Sequence, residues 1–257
     1  MSERHWQRPA LASTALALLG ATAVAGCGGS ASSSQASANQ TAGAATATAQ
    51  AQSLTAAQLK GALLTQISGA KPAAPAEAGD YGALPDVKTS KQTMHGVKVT
   101  PARCAQATVT GFNSAAFTHA PASVVTFRVG RDGVSEVLVS ATPDVASSAL
   151  GNKLPAGCEH YTASVGGKTF HSSVKESEFS GLGNEARALN VKAKGYSQVN
   201  VWSVVYRADG FVGAVTIVGP DATAASAKKL ASQAYAYAHQ SLHSSGGQPA
   251  LTAGANW

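Results

Sequence analysis

The sequence predicts an α+β domain, an antiparallel sheet with helices packed on one face, and three observations carry that prediction. Most segments beyond residue 120 are of strand length and rich in Val, Thr, Tyr and Phe. Two Asp-Gly pairs, Asp132-Gly133 and Asp209-Gly210, each lie between two such segments, which is the pattern of a tight hairpin. An Ala-rich stretch, Pro220 to His243, then places Leu230, Ala234, Tyr237 and Ser241 on one helical face.

From the start of the chain, Arg4 and Arg8 precede an apolar stretch from Ala10 to Ala25, too short for a membrane span and followed by small residues. Val24-Ala25-Gly26-Cys27 stands where that stretch ends and resembles a bacterial lipobox. The resemblance implies a lipoprotein signal peptide over 1–26, lipidation of Cys27 and an anchor at the outer face of the cytoplasmic membrane. Several acyl chains, each CH₂ contributing about 0.8 kcal/mol, hold where one would not. The arginines are not adjacent, which argues against a twin-arginine signal.

Residues 27–53 follow as a polar tether. Gly28 to Gln52 contains only Gly, Ala, Ser, Thr, Gln and Asn and has too little apolar surface to offset the entropy of ordering. A flexible coil of about 25 residues spans roughly 25–30 Å, so the folded part is expected near the membrane. Residues 54–242 form one domain with a single core. The tail, 243–257, is turn-rich, and Trp257 is isolated in it.

Within the domain, Thr55-Ala56-Ala57-Gln58 has the form of a capping box, and Leu59, Leu63 and Ile67 follow on one helix face until Gly69. Residues 70–91, with Pro72, Pro75, Gly79, Gly82 and Pro85, read as a long loop. Thr100-Pro101 starts a short helix that carries Cys104. Strands are expected over Ala122–Val129, Val134–Ala141, Cys158–Val165, Lys168–Val174, Ala186–Lys194, Ser197–Arg207 and Phe211–Val218.

The two hairpins look related. Asp132-Gly133 and Pro143-Asp144 recur 77 positions later as Asp209-Gly210 and Pro220-Asp221, with no gap between, and an Ala/Ser-rich helix follows each Pro-Asp. Pro at the first helical position and Asp in the first turn suit the fixed φ and the helix dipole. Either a hairpin-helix unit is duplicated or common turn residues coincide. A duplication implies a pseudo-twofold sheet whose opposite face or central seam is the natural concave surface for a ligand.

Removing the leader takes away Arg4, Arg8 and Glu3 and lowers the net charge from +6 to +5. The lysines are spread along the chain without interleaved aromatics, which points to a basic surface near anionic lipid or wall polymer and away from nucleic acid. Lipidation of Cys27 leaves Cys104 and Cys158, which outside the membrane most simply form one disulfide across 54 positions. A nucleophilic cysteine is the alternative, but neither has a CxxC partner or an evident His.

Motifs for chemistry are absent. There is no phosphate loop, nucleophile elbow or His-Glu-x-x-His. Glu159, His160 and His171 supply at most three convergent ligands, so no metal or other cofactor is expected. Glu176, Glu178 and Glu185 read as a solvated loop, and Asn184-Glu185-Ala186 as a turn in which Glu185 accepts backbone N–H bonds. Trp202, Val204 and Tyr206 share one strand face, where Trp202 and Tyr206, with Phe170, either line a ligand cleft or pack in the core.

A lipobox, a polar tether, the segment Leu54 to Thr65, a cysteine that pairs across a hairpin-helix, and Gly181-Leu182-Gly183-Asn184-Glu185-Ala186 before a long strand make one combination. It resembles the actinobacterial cell-envelope lipoproteins whose sensor-type domain is similar to the extracellular domain of mycobacterial receptor serine/threonine kinases. Asn184 stands where that segment more often has Asp, and no cysteine follows Cys158 to form the second disulfide that the kinase domains tend to hold. The resemblance implies a non-enzymatic ligand-binding or sensing module. Its partners would be the membrane, through the anchor, and a small molecule or cell-wall ligand. A structural lipoprotein that docks an envelope protein is the alternative, ahead of a hydrolase.

Overall fold

A computed structural model describes residues 53–244, apart from 109–111, 113, 152 and 196–197. The leader, Cys27, the tether up to residue 52 and the tail from residue 245, Trp257 included, lie outside the described residues.

Nine strands form one sheet among the described residues. They are β1 (Glu77–Asp80), β2 (Lys98–Thr100), β3 (Pro121–Val129), β4 (Asp132–Ser140), β5 (His160–Val165), β6 (Lys168–Glu178), β7 (Glu185–Lys194), β8 (Val199–Ala208) and β9 (Phe211–Val218). Their order is β1-β3-β4-β9-β8-β7-β6-β5-β2, and every neighbouring pair is antiparallel. Four α-helices accompany them: α1 (Ala56–Gly61), α2 (Pro85–His95), α3 (Pro143–Gly151) and α4 (Ala224–His243). The seven strands expected from β-branched runs and hairpin signals are all present.

Consecutive residues are buried along β3, β8 and β9, so the sheet is covered on both faces. On the first face, Val134 and Leu138 of β4, Val204 and Tyr206 of β8, and Phe211, Val215 and Ile217 of β9 meet α1 and α4. Leu230, Ala234 and Tyr237 are the buried stripe of α4, as their spacing requires. On the second face, Val124, Val139, Val205, Val212 and Ala214 meet Ala146, Ala149 and Leu150 of α3, and Val87 of α2 joins them. One helical layer therefore lies where it was expected, and α2 and α3 add a second on the other face.

The two hairpins meet at the β4–β9 ladder. Val137 and Ala214, counterparts in the alignment of the halves, are register partners there, so a twofold axis normal to the sheet passes between them. Such an axis keeps faces, yet α3 and α4 pack on opposite faces. The symmetry belongs to the strands and stops at the helices. The first turn also differs from expectation: its two loop residues are Gly130 and Arg131, between the partners Val129 and Asp132. Gly130 takes the left-handed conformation with φ +58°. Asp132 instead begins β4 with its carboxylate buried, accepting the Asp221 N–H at 3.1 Å.

Two other segments depart from the sequence reading. The capping box forms, with Thr55 Oγ1 accepting from the Gln58 N–H and Gln58 Oε1 accepting from the Thr55 N–H. But α1 ends at Gly61, well short of Gly69. The Leu64 N–H that a continuing helix would bond internally goes to the Glu136 carboxylate at 2.9 Å, while Leu63 and Ile67 stay in the core. Residues 70–91 are also no simple loop. They hold β1, an edge strand, and most of α2, where Pro85 is the first helical residue and not a breaker.

Cys104 and Cys158 form a disulfide with Cα atoms 5.3 Å apart. It sits with Tyr161 and Val174 in a third small cluster under the β5–β6 wing. Replacing both cysteines with Ala should lower unfolding free energy by about 3–4 kcal/mol through loop-closure entropy. A guanidinium melt that moves by less than about 1 kcal/mol would contradict that role.

Candidate functional site

A groove of about 870 Å³ lies on the second face, between α2 and the strands β3, β4 and β9. It straddles the β4–β9 seam, on the sheet face opposite α4. Val124, Val137, Ala214 and Val218 make an apolar floor, and Thr126, Ser135 and Thr216 add a line of hydroxyls. Register explains that line: Thr126 pairs with Ser135, and Ser135 with Thr216, so the three side chains stand side by side across the sheet. Ser203 Oγ, 3.0 Å from Thr216 Oγ1, extends it onto β8.

Asp86, Ser90, Lys91, Met94 and His95 of α2 form the rim and roof. This helix buries only Val87, and Met94 keeps 42% of its surface exposed. Tyr81 and Phe112 close one wall, with ring centroids 5.6 Å apart, and Phe117 backs Phe112 from the core at 5.4 Å. Burial pushes the Tyr81 phenol up to about 12, so it is a neutral donor at physiological pH. The site is thus an apolar trough with a neutral hydroxyl stripe.

The aromatic side chains proposed from the sequence lie elsewhere. Tyr206 is fully buried beneath α4, where it packs edge-on against Phe211 and Tyr235. Its ring lies across Gly213, its ladder partner, at a position where any Cβ would collide with it. Trp202 is partly buried against the same core, and Phe170 is half-buried on β6. None of the three lines the groove. Trp202 and Tyr206 do share a face, but it is the face that α4 covers, and Phe170 stands on the other.

Around Gly181–Ala186 the turn is built as its glycines require. Gly183 has φ +60° and presses against the Arg207 carbonyl, which accepts the Asn184 N–H at 2.9 Å. Asn184 Nδ2 donates to Asp209, and Glu185 takes the Arg207 guanidinium at 3.0 Å in place of backbone N–H groups. Glu176 accepts from Arg187 and from the Leu154 N–H, so it ties the disulfide loop to the sheet. His160 and His171 are exposed on neighbouring strands, and among the described residues no three His, Cys, Asp or Glu side chains cluster to hold a metal.

One buried acid escaped the sequence reading. Glu136 is 1% exposed in the α4-side core. Its alternation with Val134 and Leu138 was the available signal. One carboxylate oxygen accepts the Leu64 N–H; the other, like the Tyr206 hydroxyl, has no hydrogen-bond partner among the described residues. Burial, only partly offset by the Leu64 bond, raises its pKa from 4.5 to about 8.

No family model and no curated protein matches the chain. Among solved structures, it is similar to the extracellular domain of PknH from Mycobacterium tuberculosis. That likeness has a TM-score of 0.53 and 16% identity, over 74% of this chain and 99% of that one. The likeness is one of fold. A putative uncharacterized protein from Mycobacterium smegmatis also aligns, at TM-score 0.39 and 15% identity over 64% of this chain and 85% of its own.

Because the folded pKa of Glu136 lies above its ordinary value, the native state keeps a proton that the unfolded chain releases. That contribution is full below pH 4.5 and is lost as pH rises through 8. Glu136→Gln should therefore match the wild type near pH 5 and exceed it in stability above pH 8, by up to about 5 kcal/mol. Denaturant melts at both pH values read this; a constant difference would refute it.

Proposed function

We propose that the chain is a lipid-anchored, extracytoplasmic and non-enzymatic binding module that senses an amphipathic small molecule through the groove over the β4–β9 seam. The observation that carries the reading is the lining: an apolar floor and a row of neutral hydroxyls, with the charged side chains Asp86, Lys91 and His95 set along the α2 rim. Such a surface rewards burial of a hydrocarbon body and orients a polar head by a few hydrogen bonds. The helix above it buries one residue, so a ligand could add contacts that α2 otherwise lacks. Likeness to the PknH extracellular domain supports the reading at the level of fold.

The anchor belongs to the same reading. Lipid at Cys27 would hold the domain at the outer face of the cytoplasmic membrane, and no described helix is long and apolar enough to cross one.

Two experiments test this. The mature chain should bind 8-anilinonaphthalene-1-sulfonate saturably, with a gain in melting temperature, since a ligand of the native state stabilises it by mass action. Ser135→Trp, which sends an indole into the trough, should weaken that binding at least tenfold while the far-UV spectrum is kept; unchanged binding would refute the site. Metabolic labelling with a fatty acid should tag the wild type, and Cys27→Ala should abolish the label. Label retained in the variant would refute the anchor.

A further inference from the structure

On the first face of the sheet, beyond the part that α4 covers, the register gathers positive charge. Thr100 of β2 pairs with Thr162, Thr162 with His171, and His171 with Lys194. His160 pairs with Ser173, and Ser173 with Lys192. Lys98 and Lys175 stand on flanking rows of this same face, opposite Ser164 and Asn190. Antiparallel partners share a face. Four exposed lysines and two exposed histidines therefore look out from β2, β5, β6 and β7, and no carboxylate stands in these rows. His160, His171, Lys192 and Lys194 border a shallow basin of about 490 Å³.

The carboxylates of this wing lie on its other face. Glu176 and Glu185 are there, paired with Arg187 and Arg207. Helices on the basic side continue the pattern: neither α1 nor α4 contains an acidic residue, and Lys60 and Lys228 are exposed on them. The sheet thus separates charge across its thickness. The chain also enters the domain through α1 on this same side.

We propose that this face docks on the surface of a membrane containing anionic phospholipid, with Lys98, Lys175, Lys192 and Lys194 seated against the phosphates. The proposal rests on the reading of Cys27 as a lipid anchor, which would hold the domain within a tether length, about 25–30 Å, of such a surface. Charge complementarity selects the face, and a lysine at an anionic membrane strengthens binding by about fivefold. The flat, polar, hydroxyl-rich rows suit headgroups. Docking in this orientation leaves the groove, on the opposite face, directed away from the lipid and open to solutes.

The test uses the full mature chain with Cys27→Ser, so that no acyl chain contributes, and vesicles of phosphatidylcholine alone or with an equal part of phosphatidylglycerol. The chain should sediment with the mixed vesicles at low salt. It should remain in solution with phosphatidylcholine alone, and near 1 M salt, where the Debye length is about 3 Å. The combined variant K98Q/K175Q/K192Q/K194Q should lose at least tenfold in affinity, the corresponding four Lys→Arg changes should restore it, and K88Q/K91Q on α2 should bind as the parent does. Equal binding by the Gln variant would overturn the proposal, as would no binding to mixed vesicles or equally tight binding to soluble polyphosphate. Fatty-acid labelling of Cys27 is read separately, so failure of the face and failure of the anchor are told apart.

Discussion

The ladder between β4 and β9 is the constraint on which the rest depends. It joins two hairpins into one sheet, and its alternation decides what each face receives. Val134, Glu136 and Leu138 point towards α1 and α4; Ser135, Val137 and Val139 point the other way. A slip of one residue would exchange the faces and bring Glu136 out while burying Ser135. On the other edge of β9, the close packing of Tyr206 across Gly213 fixes the β8–β9 register, because a flat ring over a glycine admits no neighbouring Cβ. Glu136 adds a polar tie by taking the Leu64 N–H, which stops α1 and turns the chain into the core.

From that register follow two unlike surfaces. The second face keeps a trough, since α2 contributes a single buried side chain and does not fill the space over Thr126, Ser135 and Thr216. On the first face α4 supplies a full apolar stripe, so nothing remains open except the outlying β5–β7 wing, where lysines stand exposed. Binding of a solute and seating on a membrane would therefore use opposite sides of one sheet and would not compete for residues.

Much of the fold was legible in the sequence for a simple reason. Strands such as Phe211–Val218 and the stripe Leu230, Ala234, Tyr237 are buried, and burial leaves a period that can be counted. The elements that were illegible bury little. The helix α2 has only Val87 inside, and β1 is a four-residue edge strand with a glycine. From the sequence, the helix-free face or the seam was the place for a concavity; the groove lies at the seam, but under α2, a helix that reading did not place, and its residues were not legible. Tyr206 and Trp202 drew notice because large aromatics can line clefts. The lining is instead made of small Ser, Thr, Ala and Val, whose importance comes only from what stands above them. Asp132 shows the same limit at a turn: Asp-Gly is a strong hairpin signal, yet here the carboxylate is recruited two residues late to accept the Asp221 N–H.

The most direct test of this account is methyl-resolved NMR of the mature chain titrated with an amphipathic small molecule. The account predicts shifts confined to the groove methyls of Val124, Val137, Ala214, Val218 and Met94, with the methyls of Leu230 and Ala234 on the buried face of α4 unmoved. Shifts centred on the α4-side core around Trp202 and Tyr206, with the groove methyls silent, would contradict it.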